Sequence, residues 1–319
     1  VNLAQLLASL KADDRFMRHV TRWETIPPES GLFADFPASL DPRLVDVMRE
    51  RGIARLYSHQ AEAVRLIGEG RSVVVPTPTA SGKTLCYNLP VLDRILREPQ
   101  ARALYLFPTK DLSQDQMLEV HDLVTALGAD IRTFTFDGDT PETARRAIRS
   151  SGHIVVTNPD MLHQGILPHH TLWVKLFENL RYVVVYEVHQ YRGVFGSHVA
   201  NVLRRLRRIA AFYGADPQLV CCSATIANPR AHAARLVGRD VDEVARNGAP
   251  RGEKHFVFYN PPVVNAELGI RQSVVKTTRR IAERFMATGV QTIVFARSRM
   301  RVELLLTYLE RAGRRVGIR

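Results

Sequence analysis

Six short apolar runs alternate with amphipathic stretches through the first three quarters of the chain, and no other feature narrows the fold so far. The runs are 72–76 (SVVVP), 103–107 (ALYLF), 131–136 (IRTFTF), 153–157 (HIVVT), 181–186 (RYVVVY) and 218–222 (QLVCC). Most are apolar at nearly every position rather than every second one, the pattern of strands covered on both faces. Helical periodicity fills the intervals, at 84–97, 111–127, 141–149, 195–213 and 229–237. Strand and helix in alternation predict an α/β domain: a parallel sheet with helices on both faces.

The chain has 319 residues, more than one core usually serves. Residues 246–262 (RNGAPRGEKHFVFYNPP) are rich in Gly and Pro and read as a connection, with a short strand at 255–259. A second α/β pattern follows: helix 272–288, strand 291–295 and helix 298–312. The expected division is an N-terminal extension at 1–55, a first domain at 56–245, the linker at 246–262 and the start of a second domain at 263–319. One strand and two helices cannot cover a parallel sheet on both faces. The second domain therefore reads as cut short, and the chain as a fragment. No internal repeat is visible.

After the first strand comes TPTASGKT, Thr77 to Thr84. It follows the phosphate-loop pattern G-x-x-x-x-G-K-[ST], with Thr77 in place of the first Gly. A strand precedes it and a helix follows, which is the context the chemistry needs. Backbone N–H groups of Thr79, Ala80, Ser81 and Gly82 converge on a concavity, and the helix N-terminus adds partial positive charge. Lys83 reaches the β/γ-phosphates and the Thr84 hydroxyl can ligate Mg²⁺. Nucleotide binding, with ATP and Mg²⁺ as cofactors, is the expectation.

Such a loop needs an acid at the tip of a neighbouring strand, because ligands of open α/β sheets bind at the carboxyl ends of strands. Strand 181–186 offers Glu187, placed to polarise a water that attacks the γ-phosphate and to face the metal.

Further blocks complete a set. They are YSHQ (Tyr57 to Gln60), FPTKDLSQDQ (Phe107 to Gln116), FDGDTP (Phe136 to Pro141), TNPDMLH (Thr157 to His163), YEVH (Tyr186 to His189), SAT (Ser223 to Thr225) and VFARSR (Val294 to Arg299). In this order and spacing, from about Phe36 onward, the chain resembles a superfamily 2 helicase of the DExH type. It is most similar to the bacterial MrfA/YprA-type DNA repair helicases, relatives of the eukaryotic RecQ-four-like enzymes. The resemblance implies a RecA-like fold and an ATP-dependent 3′-to-5′ DNA helicase active in repair. It implies that Tyr57 and Gln60 read adenine, and that His189 couples the nucleotide site to Ser223 and Thr225. It also implies that Thr109, Lys110, Thr157 and Asp160 face the phosphates of a single DNA strand. The second RecA-like domain of such enzymes supplies arginine fingers, which lie past Arg319. On that reading the chain binds ATP and nucleic acid but unwinds nothing alone.

One residue departs from the pattern. Where the family carries an aspartate that holds Mg²⁺, this chain has Tyr186. A phenol with a pKa near 10 brings no charge at neutral pH. The alternative reading is therefore a nucleotide- and nucleic-acid-binding module whose ATPase is impaired.

Bulk properties agree with these readings. A net charge of +12 favours an anionic partner, although Arg-rich composition also makes basic enzymes that bind no nucleic acid. Arg204, Arg205, Arg207 and Arg208 form either a solvated helix face or a DNA-facing patch. His163, His169 and His170 lack the spacing of a metal site, and no zinc pattern exists. Asp137 and Asp139 read as turn residues around Gly138, and Trp23 as packing. Cys86 reads as a small core residue, with a thiol activated by the helix N-terminus as the alternative. Three cysteines without disulfide or zinc spacing fit a reducing cytoplasm. No apolar run is long enough for a membrane span, and the start lacks the form of a signal peptide.

Overall fold

The computed structural model describes residues 2–316. The chain forms two compact units, one of residues 30–251 and one that joins residues 1–29 to 252–319.

The larger unit is built on seven parallel strands: β1 (Val73–Val75), β2 (Arg102–Leu106), β3 (Thr133–Thr135), β4 (Ile154–Thr157), β5 (Leu180–Val185), β6 (Gln218–Cys222) and β7 (Asp242–Glu243). Their order across the sheet is β7-β1-β6-β5-β2-β4-β3. The six expected strands are all present, and the two-residue β7 is an addition. Alternate residues feed opposite cores. Val73, Val75, Tyr105, Val184 and Cys222 pack with helices Ser58–Gly68, Lys83–Arg97 and Lys110–Leu127. Val74, Leu104, Val183, Val185 and Cys221 pack with helices Gly193–Phe212 and Pro229–Val237. With both faces covered, the inner strands tolerate no polar side chain, which is why the sequence runs were almost wholly apolar. This is a RecA-like arrangement.

A parallel sheet sends every strand's carboxyl end to one edge. The loops after β1, β6 and β5 are therefore neighbours, with Val75 beside Cys222 and Cys221 beside Val185 in the ladder.

The smaller unit differs from the sequence reading in two ways. Residues 1–55 are not one extension. Val20–Ile26 pairs antiparallel with Lys254–Tyr259, Trp23 opposite Val257, over a small core of Leu6, Leu10 and Phe16. Residues 30–55 belong to the larger unit instead. The apolar side of strand Lys254–Tyr259 draws the amino-terminal strand onto it, a pairing between residues 228 to 239 positions apart that no local pattern announces. The expected strand 291–295 does not form. Ile293 is 74% and Phe295 91% exposed, and among the described residues no ladder reaches this stretch. A β-branched run becomes a strand only where a neighbour takes up its backbone N–H and C=O groups. Helices Val274–Met286 and Arg299–Val316 flank it as expected.

Candidate nucleotide site

The loop that leaves β1 is held from outside by its own side chains and by helix Ser58–Gly68. Thr77, standing where the pattern has Gly, is buried, and its Oγ1 lies 2.7 Å from Ser81 Oγ. The hydroxyl that departs from the pattern thus braces the loop. Pro78, Thr79 and Ala80 form the exposed crest, and Ala80 sits at φ 61°, a left-handed conformation that costs a non-glycine residue about 1–2 kcal/mol. Gly82 has φ 76°, which favours glycine, and a Cβ there would stand 2.5 Å from Gln60 Nε2 and push that carboxamide aside. His59 Nε2 donates to Ser81 O at 3.0 Å and Gln60 Nε2 donates to Gly82 O at 2.9 Å. Each carbonyl shares a trans peptide with the following N–H, and the two point in opposite directions. Fixing both carbonyls against helix Ser58–Gly68 turns the Gly82 and Lys83 N–H groups away from it, as an anion cradle needs. The buried Lys83 ammonium donates to Thr77 O and Pro78 O, both at 2.9 Å.

Beside Gly82 opens a cleft of about 530 Å³ lined by Phe33, Ile53, Arg55, Tyr57, Gln60 and Leu85. That is ample for a small organic ligand. Tyr57 and Gln60 both line it. Gln60 Oε1 accepts from Tyr57 N at 2.9 Å, so each end of its carboxamide is half used, leaving one N–H and one lone pair. Phe33 was missed by the sequence reading. It arrives on the two-residue strand Phe33–Ala34, which pairs with Leu56–Tyr57, and its ring centroid is 5.3 Å from that of Tyr57. GLFADF carries no motif that could have marked it.

At the tip of β5, Glu187 adopts φ 55°, a left-handed conformation that costs a non-glycine residue and that clusters at functional sites. Its carboxylate is mostly buried, and Oε2 lies 2.9 Å from His189 Nδ1. That nitrogen already accepts from Ala224 N at 3.1 Å, so it cannot also donate to the carboxylate. The contact is therefore one of proximity, and Glu187 Oε2 has no hydrogen-bond donor. The bond between His189 and the SAT block runs to the Ala224 backbone, not to the hydroxyls of Ser223 or Thr225. Ser223 is wholly buried with an unpartnered Oγ, and its amide donates to Val75 O at 3.1 Å. His232 Nε2 donates to Val188 O at 2.8 Å and fastens the same turn, a contact with no sequence signal.

Tyr186 is half-buried and packs against the edge of the core. Its ring centroid is 5.1 Å from Phe107 and 6.2 Å from Tyr87, while its amide continues the ladder to Leu106 O at 2.9 Å. Burial pushes its phenol well above the ordinary range, with Cys222, Glu187 and Glu119 adding to the shift. It stays neutral at any physiological pH. The Thr84 hydroxyl, expected to ligate Mg²⁺, donates to Gln116 Oε1 at 3.1 Å. The site fits a nucleotide phosphate, with a cradle, a buried ammonium and a left-handed glycine. For Mg²⁺ it offers the Thr84 hydroxyl and the Glu187 carboxylate, and no anion at position 186.

The expected strand-contacting residues divide. Thr109 precedes helix Lys110–Leu127 and is exposed, as is Asp160 in the turn Pro159–Met161. Lys110 is ion-paired with Asp139, so Asp139 does more than shape its turn. Asp137 does cap that turn, accepting from Asp139 N at 3.0 Å. Thr157 is buried and its Oγ1 donates to Phe136 O at 2.6 Å, so it cannot face a phosphate. The β3 and β4 ends lie side by side in the sheet, and the hydroxyl closes that junction.

Several of the remaining candidates make structural contacts. Arg207 Nη1 donates to Gly238 O at 2.6 Å and Arg204 Nη2 to Arg235 O at 3.4 Å, so two of the four arginines cap helix Pro229–Val237. His170 Nδ1 lies 2.9 Å from the Tyr213 hydroxyl, and no metal-holding cluster exists among the described residues. Cys86 is fully buried with its thiol pushed well up by desolvation, which makes it a core residue. Trp23 packs against the small core of its own unit. Among the described residues no helix is long and apolar enough to cross a membrane.

A seven-stranded parallel sheet with a glycine-dependent phosphate loop on β1 and a carboxylate beyond β5 defines a RecA-like, phosphate-loop nucleotide-binding domain. Comparison with known proteins makes this particular. The DEAD/DEAH box helicase model matches residues 57–233, and the chain belongs to that family. It is 52% identical to the ATP-dependent helicase YprA of Bacillus subtilis over 97% of this chain and 41% of the relative. It is 36% identical to the ATP-dependent helicase hrq1 of Schizosaccharomyces pombe over 96% of this chain and 30% of the relative. It superposes on the crystal structure of the DUF1998 helicase MrfA bound to DNA with a TM-score of 0.95 and 51% identity, covering 100% of this chain and 42% of that one. The same helicase bound to DNA and AMPPNP gives 0.94, covering 99% and 43%. The chain thus spans about two fifths or less of the length of these proteins.

Proposed function

We propose that this chain is the ATP-binding core of a DNA helicase that uses ATP hydrolysis to move 3′ to 5′ along single-stranded DNA during repair. The observation that carries the reading is the pairing of a built phosphate loop with Glu187 across β1, β6 and β5. Lys83 and the Gly82 and Lys83 amides bind the phosphates, and Tyr57, Gln60 and Phe33 bound the cleft for the base. Thr84 and Glu187 are the side chains that would hold Mg²⁺, which would supply Lewis-acid stabilisation of phosphate charge. Glu187 Oε2, short of a donor and close to His189, accepts the proton of the attacking water. His189 transmits the state of that carboxylate to the backbone at Ala224. Thr109, Lys110 and Asp160, at the same carboxyl edge, carry the DNA strand by contacts that position without reading sequence. DNA as the substrate rests on the DNA-bound structures of MrfA, and polarity and repair rest on resemblance.

Tyr186 favours a second reading, a module that binds nucleotide and DNA but hydrolyses ATP slowly. An outer-shell partner of a metal is worth about 10–100-fold, and here the position is filled by core packing. The deciding experiment is ATP turnover with and without single-stranded DNA in the full-length protein. DNA-stimulated turnover supports the helicase core, and binding without turnover supports the module. Turnover indifferent to DNA would reject both. Lys110→Ala should lower the salt slope of single-stranded DNA binding by about 0.7.

A further inference from the structure

We propose that His59 is a positioning residue that couples the phosphate loop to residues 246–251, the segment by which the chain leaves the nucleotide unit. The proposal rests on the nucleotide-site reading above.

The imidazole is wholly buried and bonded at both nitrogens. Gly248 N donates to Nδ1 at 3.1 Å, so Nδ1 carries the lone pair and the ring's single proton sits on Nε2. That proton is donated to Ser81 O at 3.0 Å. One rigid ring therefore spans from the carbonyl that sets the phosphate-loop peptide to the amide of a residue 189 positions away. No water can substitute on either side, because the ring has no exposed surface.

The far end is as tightly defined as the near one. Gly248 O accepts from Leu32 N, and Leu32 O accepts from Ser58 N, both at 2.8 Å. Ser58 opens the helix that carries His59, which closes a ring of backbone bonds around residue 248. A Cβ on Gly248 would stand 2.7 Å from Ser58 N and 2.8 Å from Leu32 O. The segment is thus docked backbone to backbone, and glycine is the residue that permits it. Three residues further on, at Arg251, the unit ends and the chain passes into the other one.

The physical consequence is direct. A phosphate drawn onto the Gly82 amide reorients the Ser81–Gly82 peptide. Its carbonyl and amide move together, because the peptide is planar. The bond to His59 Nε2 then changes, the ring tilts, and the acceptor offered to Gly248 shifts with it. Gln60 holds the next carbonyl but ends on Tyr57 N, at the cap of its own helix, so it has no such reach.

Two substitutions separate the halves of the relay. His59→Gln places a donor where Nε2 stands and removes the acceptor at Nδ1. His59→Asn places an acceptor where Nδ1 stands and removes the reach to Ser81. The measurement is amide hydrogen exchange at Gly248 in the full-length protein, with and without a non-hydrolysable ATP analogue and Mg²⁺, beside analogue affinity measured by fluorescence. In the wild type the analogue should change Gly248 exchange by about fivefold, the worth of one hydrogen bond of ordinary strength. In His59→Gln, which keeps a donor to Ser81 O, Gly248 should exchange fast and ignore the analogue even at concentrations that saturate the site. In His59→Asn, Gly248 should stay protected but unresponsive. A purely structural role would alter melting temperature and leave the nucleotide response in place. Response retained in His59→Gln, or wild-type binding without any change at Gly248, overturns the relay. Failure of the wild type to bind the analogue at all overturns the site reading, and is distinguished by the affinity measurement.

Discussion

Two loops at the same sheet edge, one after β1 and one after β5, are built to different standards. The β1 loop has a partner for each of its anchoring groups. Thr77 braces Ser81, His59 and Gln60 hold successive carbonyls, and Lys83 is bonded twice. The β5 tip is short of partners. Glu187 Oε2, Tyr191 Oη and Ser223 Oγ are buried without hydrogen bonds, and Tyr186 is absorbed by Phe107 and Tyr87. An unmet buried polar group costs about 1–3 kcal/mol, and such groups persist where chemistry uses them. The β1 loop is thus braced throughout, whereas the β5 tip keeps buried polar atoms unmet and sets the Tyr186 ring against Phe107 and Tyr87.

The largest effect is expected at Glu187. Glu187→Gln should lower DNA-stimulated ATP turnover by about 10²–10⁴-fold while analogue affinity changes little. Loss of binding with unchanged turnover per bound nucleotide would assign Glu187 to the binding side instead. Next in size, Tyr186→Asp should raise turnover by about 10–100-fold. The same change removes a ring from contact with Phe107 and Tyr87, so the melting temperature should fall. A gain in turnover without loss of stability would show that the ring's packing is idle. Gly82→Ala tests the β1 loop. The left-handed conformation and the clash with Gln60 should weaken analogue binding by about 1–2 kcal/mol, read by titration. An unchanged dissociation constant would mean the loop is not held as tightly as its hydrogen bonds indicate.

The smallest expected effect is a pH dependence. Burial holds His59 below its ordinary value of 6.5, with Lys83 adding in the same direction. The unfolded chain therefore takes up its proton first as pH falls. The stability contributed by neutral His59 is complete above about 6.5 and is lost as pH drops through that value toward the folded one. Denaturant midpoints at pH 7 and pH 5 should differ less in His59→Gln than in the wild type. His153, also held low by burial, retains its own share of the acid sensitivity in both proteins. Equal differences in the two proteins would show that His59 does not titrate in this range.

The β1 loop was almost wholly readable from TPTASGKT, because its chemistry depends on neighbours in sequence: a strand end, a glycine, a lysine and a helix start. Glu187 was readable for the same reason. The identity of its neighbour Tyr186 was visible too, but not its direction, since that depends on Phe107 and Tyr87 from other elements. Thr157 sits in a motif and was expected to face phosphates. Its hydroxyl turned inward because Phe136, at the end of an adjacent strand, offers a carbonyl. Phe33 and His232 reached the site without any local mark, and the SAT contact fell on the Ala224 backbone, which side-chain identities do not encode.

By itself the sequence determined the strand and helix alternation, the parallel sheet, the loop TPTASGKT after one strand and the carboxylate beyond another. Each follows from periodicity or from residues within a few positions of one another. Tertiary structure alone decided that strand 20–26 would join 254–259, that 291–295 would remain unpaired, that the Tyr186 ring would pack on Phe107 and Tyr87, and that His59 would bridge Ser81 to Gly248. Those outcomes depend on which distant backbone groups meet, and hydrogen bonds between residues some 200 positions apart leave no period in the chain that makes them.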